Sequence, residues 1–309
     1  MSIKNVAVAG GTGNLGRVIV EQLVQDGFRV TLLTREPGTH PAPAGVAGVV
    51  GVDYASVASL TDALRGQDAV VSVLGSIAAG QHQKPLVDAA VAAGVRRFIP
   101  SEFGVNTRTA RGTTIGQVLA GKIATVDYLI EQAAAAAPAG AFTWTGLSTG
   151  LFFDWGLERG LFGFDKATQT ATLVDSGNEP FQTSTLAQIG RAVSAVLRQA
   201  GGGGEDRTAN QYLDVASFTP TQQDLLRLVE AAAPSWTVRH VKSADLEAEG
   251  AAKLAKGDFS AFGDLLRAWL HGDGAHHAPD LTNAATSGNA LLGLAEEDLA
   301  ALVNPWLKG

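Results

Sequence analysis

Seven residues near the start of the chain, Gly10-Gly11-Thr12-Gly13-Asn14-Leu15-Gly16, constrain its fold more than anything that follows. They satisfy both GxxGxxG and GxGxxG. They come directly after the apolar run Ile3–Ala9 and open a segment with Leu15, Ile19, Leu23 and Val24 at helical spacing. Glycines there let a strand turn sharply into a helix, let the backbone approach a pyrophosphate, and let the helix lie close on a sheet. The helix start contributes unpaired N–H groups and the positive end of its dipole. The bland alternative is a tight structural turn, which leaves the strand–loop–helix context unexplained.

The rest of the first half keeps this rhythm. Phe28–Leu33, Val46–Val52, Ala69–Leu74, Arg97–Pro100 and Phe142–Leu147 read as strands. Val57–Leu64, Pro85–Ala93 (stopped at Gly94) and Thr113–Ala137 read as helices. Strands alternating with helices predict right-handed βαβ units and a Rossmann-type doubly wound parallel sheet, an α/β fold. After Gly150 the alternation fades. Aromatics crowd into Leu151–Phe164, a short strand is expected at Thr170–Val174, and a helix at Leu186–Arg198. Gly201–Gly204 reads as a slack loop, Tyr212–Val215 as a return to the sheet, and the chain from Thr219 as mostly helical to Trp306. The expected layout is a nucleotide-binding domain over 1–150 and a smaller, helix-rich substrate region over 151–309, some of whose elements rejoin the sheet.

Composition removes several classes of function. The net charge of −7 argues against a nucleic-acid partner. The absence of cysteine excludes disulfides, Cys-ligated metals and a thiol nucleophile. No apolar run approaches a membrane span, and the N-terminus reads straight into a strand, so a cytoplasmic protein is expected.

The cofactor type is argued from the end of the second strand, Thr34-Arg35-Glu36. A guanidinium suits a 2′-phosphate and stacks on adenine, whereas Glu36 favours NAD; NADP(H) is the expectation. Asp53 and Tyr54 follow the third strand, where an adenine pocket forms; Asp53 is as readily a turn residue. The three tyrosines, Tyr54, Tyr128 and Tyr212, have Ala58, Gln132 and Ala216 four residues on, so the Tyr-x-x-x-Lys pair of typical short-chain dehydrogenases is absent. The long helix offers another proton donor. Ile115, Val118, Leu119, Ile123, Val126, Leu129 and Ile130 form an apolar stripe, with Gln117, Asp127 and Glu131 opposite, and Lys122 falls within the stripe. A lysine there needs a partner or ligand, or else snorkels to water.

The segment Val95-Arg-Arg-Phe-Ile-Pro-Ser-Glu-Phe-Gly104 is similar to the RFxPSEFG stretch of the isoflavone reductase-like, or NmrA-like, atypical short-chain reductases. The glycine loop, Thr34-Arg35, Gln83 and a lysine about twenty residues beyond the motif match as well. Gly150-Leu-Phe-Phe-Asp-Trp155 resembles the fungal isoflavone reductase-family proteins in particular. The resemblance implies an NADPH-binding Rossmann domain with a small C-terminal substrate region, reduction of phenylpropanoid-type aromatic substrates in secondary metabolism, and Lys122 as general acid/base. Two departures stand out. Only His40 is basic in the loop after Arg35, and Val126 replaces the arginine common in plant members four residues after the lysine.

The candidate cofactor contacts are therefore Gly10, Thr12, Gly13, Asn14, Leu15, Gly16, Arg35, Asp53, Gly75, Gln83, Ser101 and Phe103. Ser101 serves equally as a cap or turn residue, and Phe103 as a core residue. Phe152, Phe153 and Trp155 line an aromatic pocket or join the two parts as core. His271, His276 and His277 read as a surface loop rather than a metal site. Hydride transfer to an enone, quinone-methide-like or carbonyl carbon would build charge on an oxygen that Lys122 stabilises or protonates. The competing reading is a non-catalytic NADP(H)-sensing protein of NmrA type; an epimerase-like reductase is disfavoured without Tyr-x-x-x-Lys. The expected partner is a small aromatic molecule, and the expected state a monomer or homodimer.

Overall fold

The computed structural model describes residues 2–35, 41–136, 142–202, 204–283 and 287–308. Its first half runs β1 (Asn5–Ala9), α1 (Asn14–Gln25), β2 (Arg29–Thr34), β3 (Gly48–Gly51), α2 (Val57–Leu64), β4 (Ala69–Ser72), α3 (Ser76–Ala92), β5 (Arg97–Ile99), α4 (Thr114–Val118), α5 (Ala120–Ala136) and β6 (Thr143–Ser148). Then come β7 (Leu151–Phe152), α6 (Phe153–Glu158), β8 (Phe164–Asp165), β9 (Thr170–Val174), β10 (Thr183–Ser184), α7 (Leu186–Gly201) and β11 (Gln211–Asp214). The chain ends with α8 (Gln222–Ala232), β12 (Thr237–Val241), α9 (Ser243–Leu254), α10 (Ala261–His271), α11 (Gly288–Leu292) and α12 (Leu299–Lys308).

Seven parallel strands form one sheet in the order β11-β6-β5-β4-β1-β2-β3. The order reverses between β1 and β4, so the ligand crevice of such a sheet falls at the C-terminal ends of those two strands. Val6–Ala9 and all of β4 are buried, as residues covered on both sheet faces must be. On one face Ile19 and Leu23 of α1 and Val193 and Val196 of α7 pack on Val8, Val30 and Val71. On the other, Leu60, Leu86, Val87 and Leu129 from α2, α3 and α5 pack on Leu33, Val70 and Phe98. Full burial of each such side chain is worth roughly 1.5–3 kcal/mol. A third core, around Phe153, Phe162, Phe181, Leu265 and Leu270, belongs mainly to the later part of the chain. Its three-stranded sheet has the order β12-β9-β8.

β11 pairs in parallel with β6, and Arg97 ties down the approach to it. This guanidinium is 1% exposed and donates to Thr143, Thr145, Thr208 and the Asp206 carboxylate. The Asp206–Thr208 segment, just ahead of β11, is thus clamped to β5 within the sheet.

Several expectations are corrected. The helix after β4 starts at Ser76 rather than Pro85; α3 carries Pro85 internally, at the cost of one main-chain hydrogen bond. The helix expected at Thr113–Ala137 is two helices that meet at Leu119, and Ala137 lies outside the described residues. Ile130 is 40% exposed and leaves the apolar stripe. β12 is a strand in a stretch expected to be helical; its side chains are largely exposed, so no hydrophobic alternation announces it.

Candidate functional site

The glycine loop stands at the point where the strand order reverses. Gly10 has φ +83°, and a Cβ on it would lie 2.5 Å from the carbonyl oxygen of Val73, just past β4. A Cβ on Gly16 would lie 2.2 Å from the Gly10 oxygen and 2.9 Å from Gly11 Cα. The loop is therefore bare backbone pressed between β1, β4 and α1. No side chain caps the start of α1 at Gly13, which leaves its first N–H groups turned outward beside exposed Gly13 and Asn14. Thr12 is half-buried, and Leu15 anchors the loop in the core.

Arg35 follows β2, exposed, with no hydrogen-bond or ion-pair partner among the described residues. Glu36 and His40 lie outside the described residues. A second guanidinium that the sequence pattern does not single out stands nearby. Arg17, the residue after Gly16, donates to the carbonyls of Thr12 (3.1 Å) and Pro41 (3.3 Å), bridging the glycine loop and the chain beyond β2. Its place directly behind the glycine motif was the available signal. Asp53 is exposed, and its Oδ1 accepts from the Ala55 N–H at 2.9 Å, the local turn role. Tyr54 is buried, donates to the Leu33 carbonyl, and meets the His82 ring at 5.8 Å.

Gly75 caps the start of α3. Gln83 lies inside α3, not ahead of it, and is fully buried. Its Oε1 accepts from the Ser101 N–H at 2.6 Å, while its Nε2 has no partner among the described residues. Ser101 Oγ donates to the Leu74 carbonyl at 2.6 Å, tying the ends of β4 and β5 together. Thr34 Oγ1, Ser72 Oγ and Glu102 Oε1 are also buried without partners. All four of these polar atoms belong to the crevice edge, at the ends of β2, β4 and β5. Buried polar groups normally find partners, so their clustering beside an uncapped helix and a glycine cradle fits a polar dinucleotide.

Lys122 reaches the same edge. Its Nζ donates to the Glu102 carbonyl at 3.2 Å, and a Cβ on Gly104 would stand 3.9 Å from it. Protein packed around the ammonium pushes its pKa down, opposed by the negative charge of Glu102. Glu102 is wholly buried, and its Oε2 accepts from Thr107 Oγ1 (2.5 Å) and the Tyr212 hydroxyl (2.7 Å). Burial pushes this carboxyl up against the opposing pull of Lys122 and the two hydroxyls. Burial and the adjacent carboxylate push Tyr212 up as well, so it stays a hydrogen-bond donor. Glu102 carried no assigned role in the sequence, and Tyr212 comes from β11, more than a hundred residues away.

The aromatic candidates separate. Phe103 is buried in the core beneath the crevice, with Ile99 and Leu147. Phe153 is completely buried among Phe162 and Phe218, at a core position. Phe152 is half-buried at the start of α6, and Trp155 is half-buried under the guanidinium of Arg159 at 4.5 Å. His271 is no loop residue: it ends α10, buried. His277 stacks on Trp269 at 3.6 Å, and His276 lies near Glu179. Among the described residues, no cluster of three metal-ligating side chains occurs, and no helix is long and apolar enough to cross a membrane.

A seven-stranded parallel sheet with this glycine loop and a lysine at its C-terminal edge defines a Rossmann-type α/β protein. The chain matches the NmrA-like family over residues 2–200 and belongs to that family. It is 33% identical to the oxidoreductase aprR of Aspergillus flavus across the full length of both chains. It is 32% identical to the oxidoreductase poxI of Penicillium oxalicum, over 96% of this chain and 91% of the relative. An isoflavone reductase homolog of Zea mays is 36% identical over half of each chain. In fold it is similar to isoflavone reductase (TM-score 0.74, 19% identity, 98% and 99% of the two chains covered). The NADPH complex of leucoanthocyanidin reductase from Vitis vinifera gives a TM-score of 0.76 at 16% identity, with 99% of this chain and 100% of that one covered.

Proposed function

We propose that this chain is an NADPH-dependent oxidoreductase that reduces a small aromatic molecule, phenylpropanoid- or polyketide-like, with Lys122 as general acid/base. The carrying observation is the meeting of the glycine cradle and the Lys122 ammonium on one edge of the sheet. The bound dihydronicotinamide supplies the hydride. The backbone of Gly10–Gly16 and the first turn of α1 hold the pyrophosphate. Arg35, seconded by Arg17, holds the 2′-phosphate, and the turn at Asp53 borders the adenine. Gly75, Gln83 and Ser101 border the nicotinamide end, with Phe103 supporting them from the core.

Lys122 stabilises the oxygen on which charge develops and delivers a proton to it; its lowered pKa eases that transfer. Phe152 and Trp155 are the remaining aromatic candidates for substrate contact, and residues 151–309 the substrate region. The name of the relative aprR and the aromatic ligand of a pinoresinol-bound structural neighbour, AtPrR2, support this reading. A cytoplasmic monomer or homodimer without nucleic-acid partners completes it.

The test is loss of dihydronicotinamide absorbance over a panel of aromatic ketones, enones and benzylic ethers, with NADH in parallel. Turnover that Lys122→Met abolishes while NADPH affinity is retained is the expected result. NADPH binding with no substrate in the panel consumed, but with a partner protein responding to the cofactor's redox state, would replace the enzyme by a sensor.

A further inference from the structure

Away from the glycine cradle, a cavity of about 820 Å³ opens in the later part of the chain, between the loop after α6, strand β9 and helix α10. Its volume lies within the range of small-molecule sites. Leu157, Leu266, Leu270 and Trp306 give it an apolar wall. Four cationic side chains, Arg159, Lys166, Arg239 and Arg267, line it with only two carboxylates, Glu158 and Asp165, in a chain whose net charge is −7.

Three of the four cations have no hydrogen-bond or ion-pair partner among the described residues. Arg239 and Arg267 have no hydrogen-bond or ion-pair partner among the described residues, and Arg159 only stacks on Trp155. Lys166 donates to the Trp306 carbonyl at 2.9 Å. Asp165, by contrast, accepts from the N–H groups of Ala167 and Thr168. The inner wall includes His271, 1% exposed, whose two ring nitrogens both lack a partner among the described residues. An unpaired buried imidazole is costly, and a ligand oxygen reaching it would relieve that cost.

We propose that this cavity binds a small organic carboxylate with an apolar body. The carboxylate is forked by Arg239 and Arg267, and the body lies on Leu266, Leu270 and Trp306. Guanidinium forks match carboxylates, and an apolar wall distinguishes such a ligand from a free inorganic anion. The inference goes beyond the reductase reading and does not rest on it.

Calorimetric titration of the whole chain with trans-cinnamate, its neutral counterpart cinnamamide and inorganic phosphate tests it. Saturable one-to-one binding of cinnamate is expected, with cinnamamide and phosphate much weaker. Arg267→Met and Arg239→Met should each weaken cinnamate roughly tenfold or more, the scale of a charge-assisted pair, while NADPH affinity and the unfolding temperature stay unchanged. Lys122→Met should leave cinnamate binding intact. Equal binding of acid and amide, indifference to both arginine substitutions, or loss of cinnamate binding in Lys122→Met would each overturn the proposal, the last by placing the anion in the reductase cleft.

Discussion

His271 makes the acid stability of this protein a one-residue experiment. Burial, with the like charge of Arg267 beside it, pushes its pKa from 6.5 down to about 3. The imidazole ring meets the Phe181 ring edge-on at 4.5 Å and is 1% exposed. The unfolded chain takes up a proton at this residue below about pH 6.5, and the folded chain does not until about pH 3. In that window the unfolded state binds more protons, so stability falls as pH falls, with a slope approaching 1.4 kcal/mol per pH unit from this group at about 25 °C. Its contribution is fully present above pH 6.5. From about pH 7.5 to about pH 4.5 the loss amounts to about 3 kcal/mol. Phenylalanine at this position keeps a ring against Phe181 and cannot titrate. Urea unfolding of the parent and His271→Phe across that range is the assay, read as the difference between the two at each pH, in which the other titrating groups cancel. The difference should shift in favour of His271→Phe by about 3 kcal/mol toward the acid end. A difference that stays flat with pH would refute the reasoning, because it would mean that the folded imidazole is protonated as readily as the unfolded one.

Four further outcomes are expected. Gly16→Ala forces α1 to retreat by roughly an ångström from the Gly10 oxygen, so NADPH affinity, followed by cofactor fluorescence, should drop by about tenfold or more, with some loss of stability from overpacking. Arg35→Ala should erode the preference for NADPH over NADH by about 10- to 100-fold, one charge-assisted contact, measured as the ratio of the two Kd values. Asp206→Asn leaves the buried Arg97 charge without a counter-ion and should lower unfolding stability by about 3–5 kcal/mol in urea, whereas Arg97→Met with Asp206→Leu should recover most of it. Tyr212→Phe removes one of the donors that hold the Glu102 carboxyl down; Glu102 becomes less negative, the Lys122 pKa falls further, and the basic limb of the kcat profile should move to lower pH with NADPH affinity unchanged.

What could be read in advance follows from where the information lies along the chain. Gly10–Gly16, β1 and α1 are contiguous, so one local pattern carries strand, cradle and helix together. Lys122 was legible because a charge inside an apolar stripe contradicts its surroundings. The position of Arg35 just past β2 was legible because the apolar run of that strand marks where it ends. The break at Leu119 was not, since the residues on either side continue the same apolar pattern, and neither was β12, whose side chains face solvent. Glu102 stood in a recognised motif with no visible partner, because Thr107 supplies one hydroxyl locally but the other comes from a strand the pattern leaves ambiguous.

That strand explains why the later part of the chain matters to a site built mostly by the earlier part. Within nine residues, Asp206 and Thr208 engage Arg97 in the sheet, Tyr212 reaches the Glu102 carboxylate, and Asp214 accepts from Asn106 at 2.9 Å. Arg97 is five residues ahead of Glu102, and Asn106 and Thr107 follow it closely, so one return strand grips both sides of the Ser101–Gly104 loop. The Thr149 and Gly150 N–H groups, donating to the Gly104 carbonyl at 2.9 and 3.0 Å, hold it from the chain just past β6. The Lys122 ammonium takes its position from the Glu102 carbonyl within that loop. Docking of β11 and placement of the lysine are therefore one structural event: a chain ending at residue 150 would retain the cradle but lose Tyr212, and with it a hydroxyl that holds the carboxylate facing Lys122.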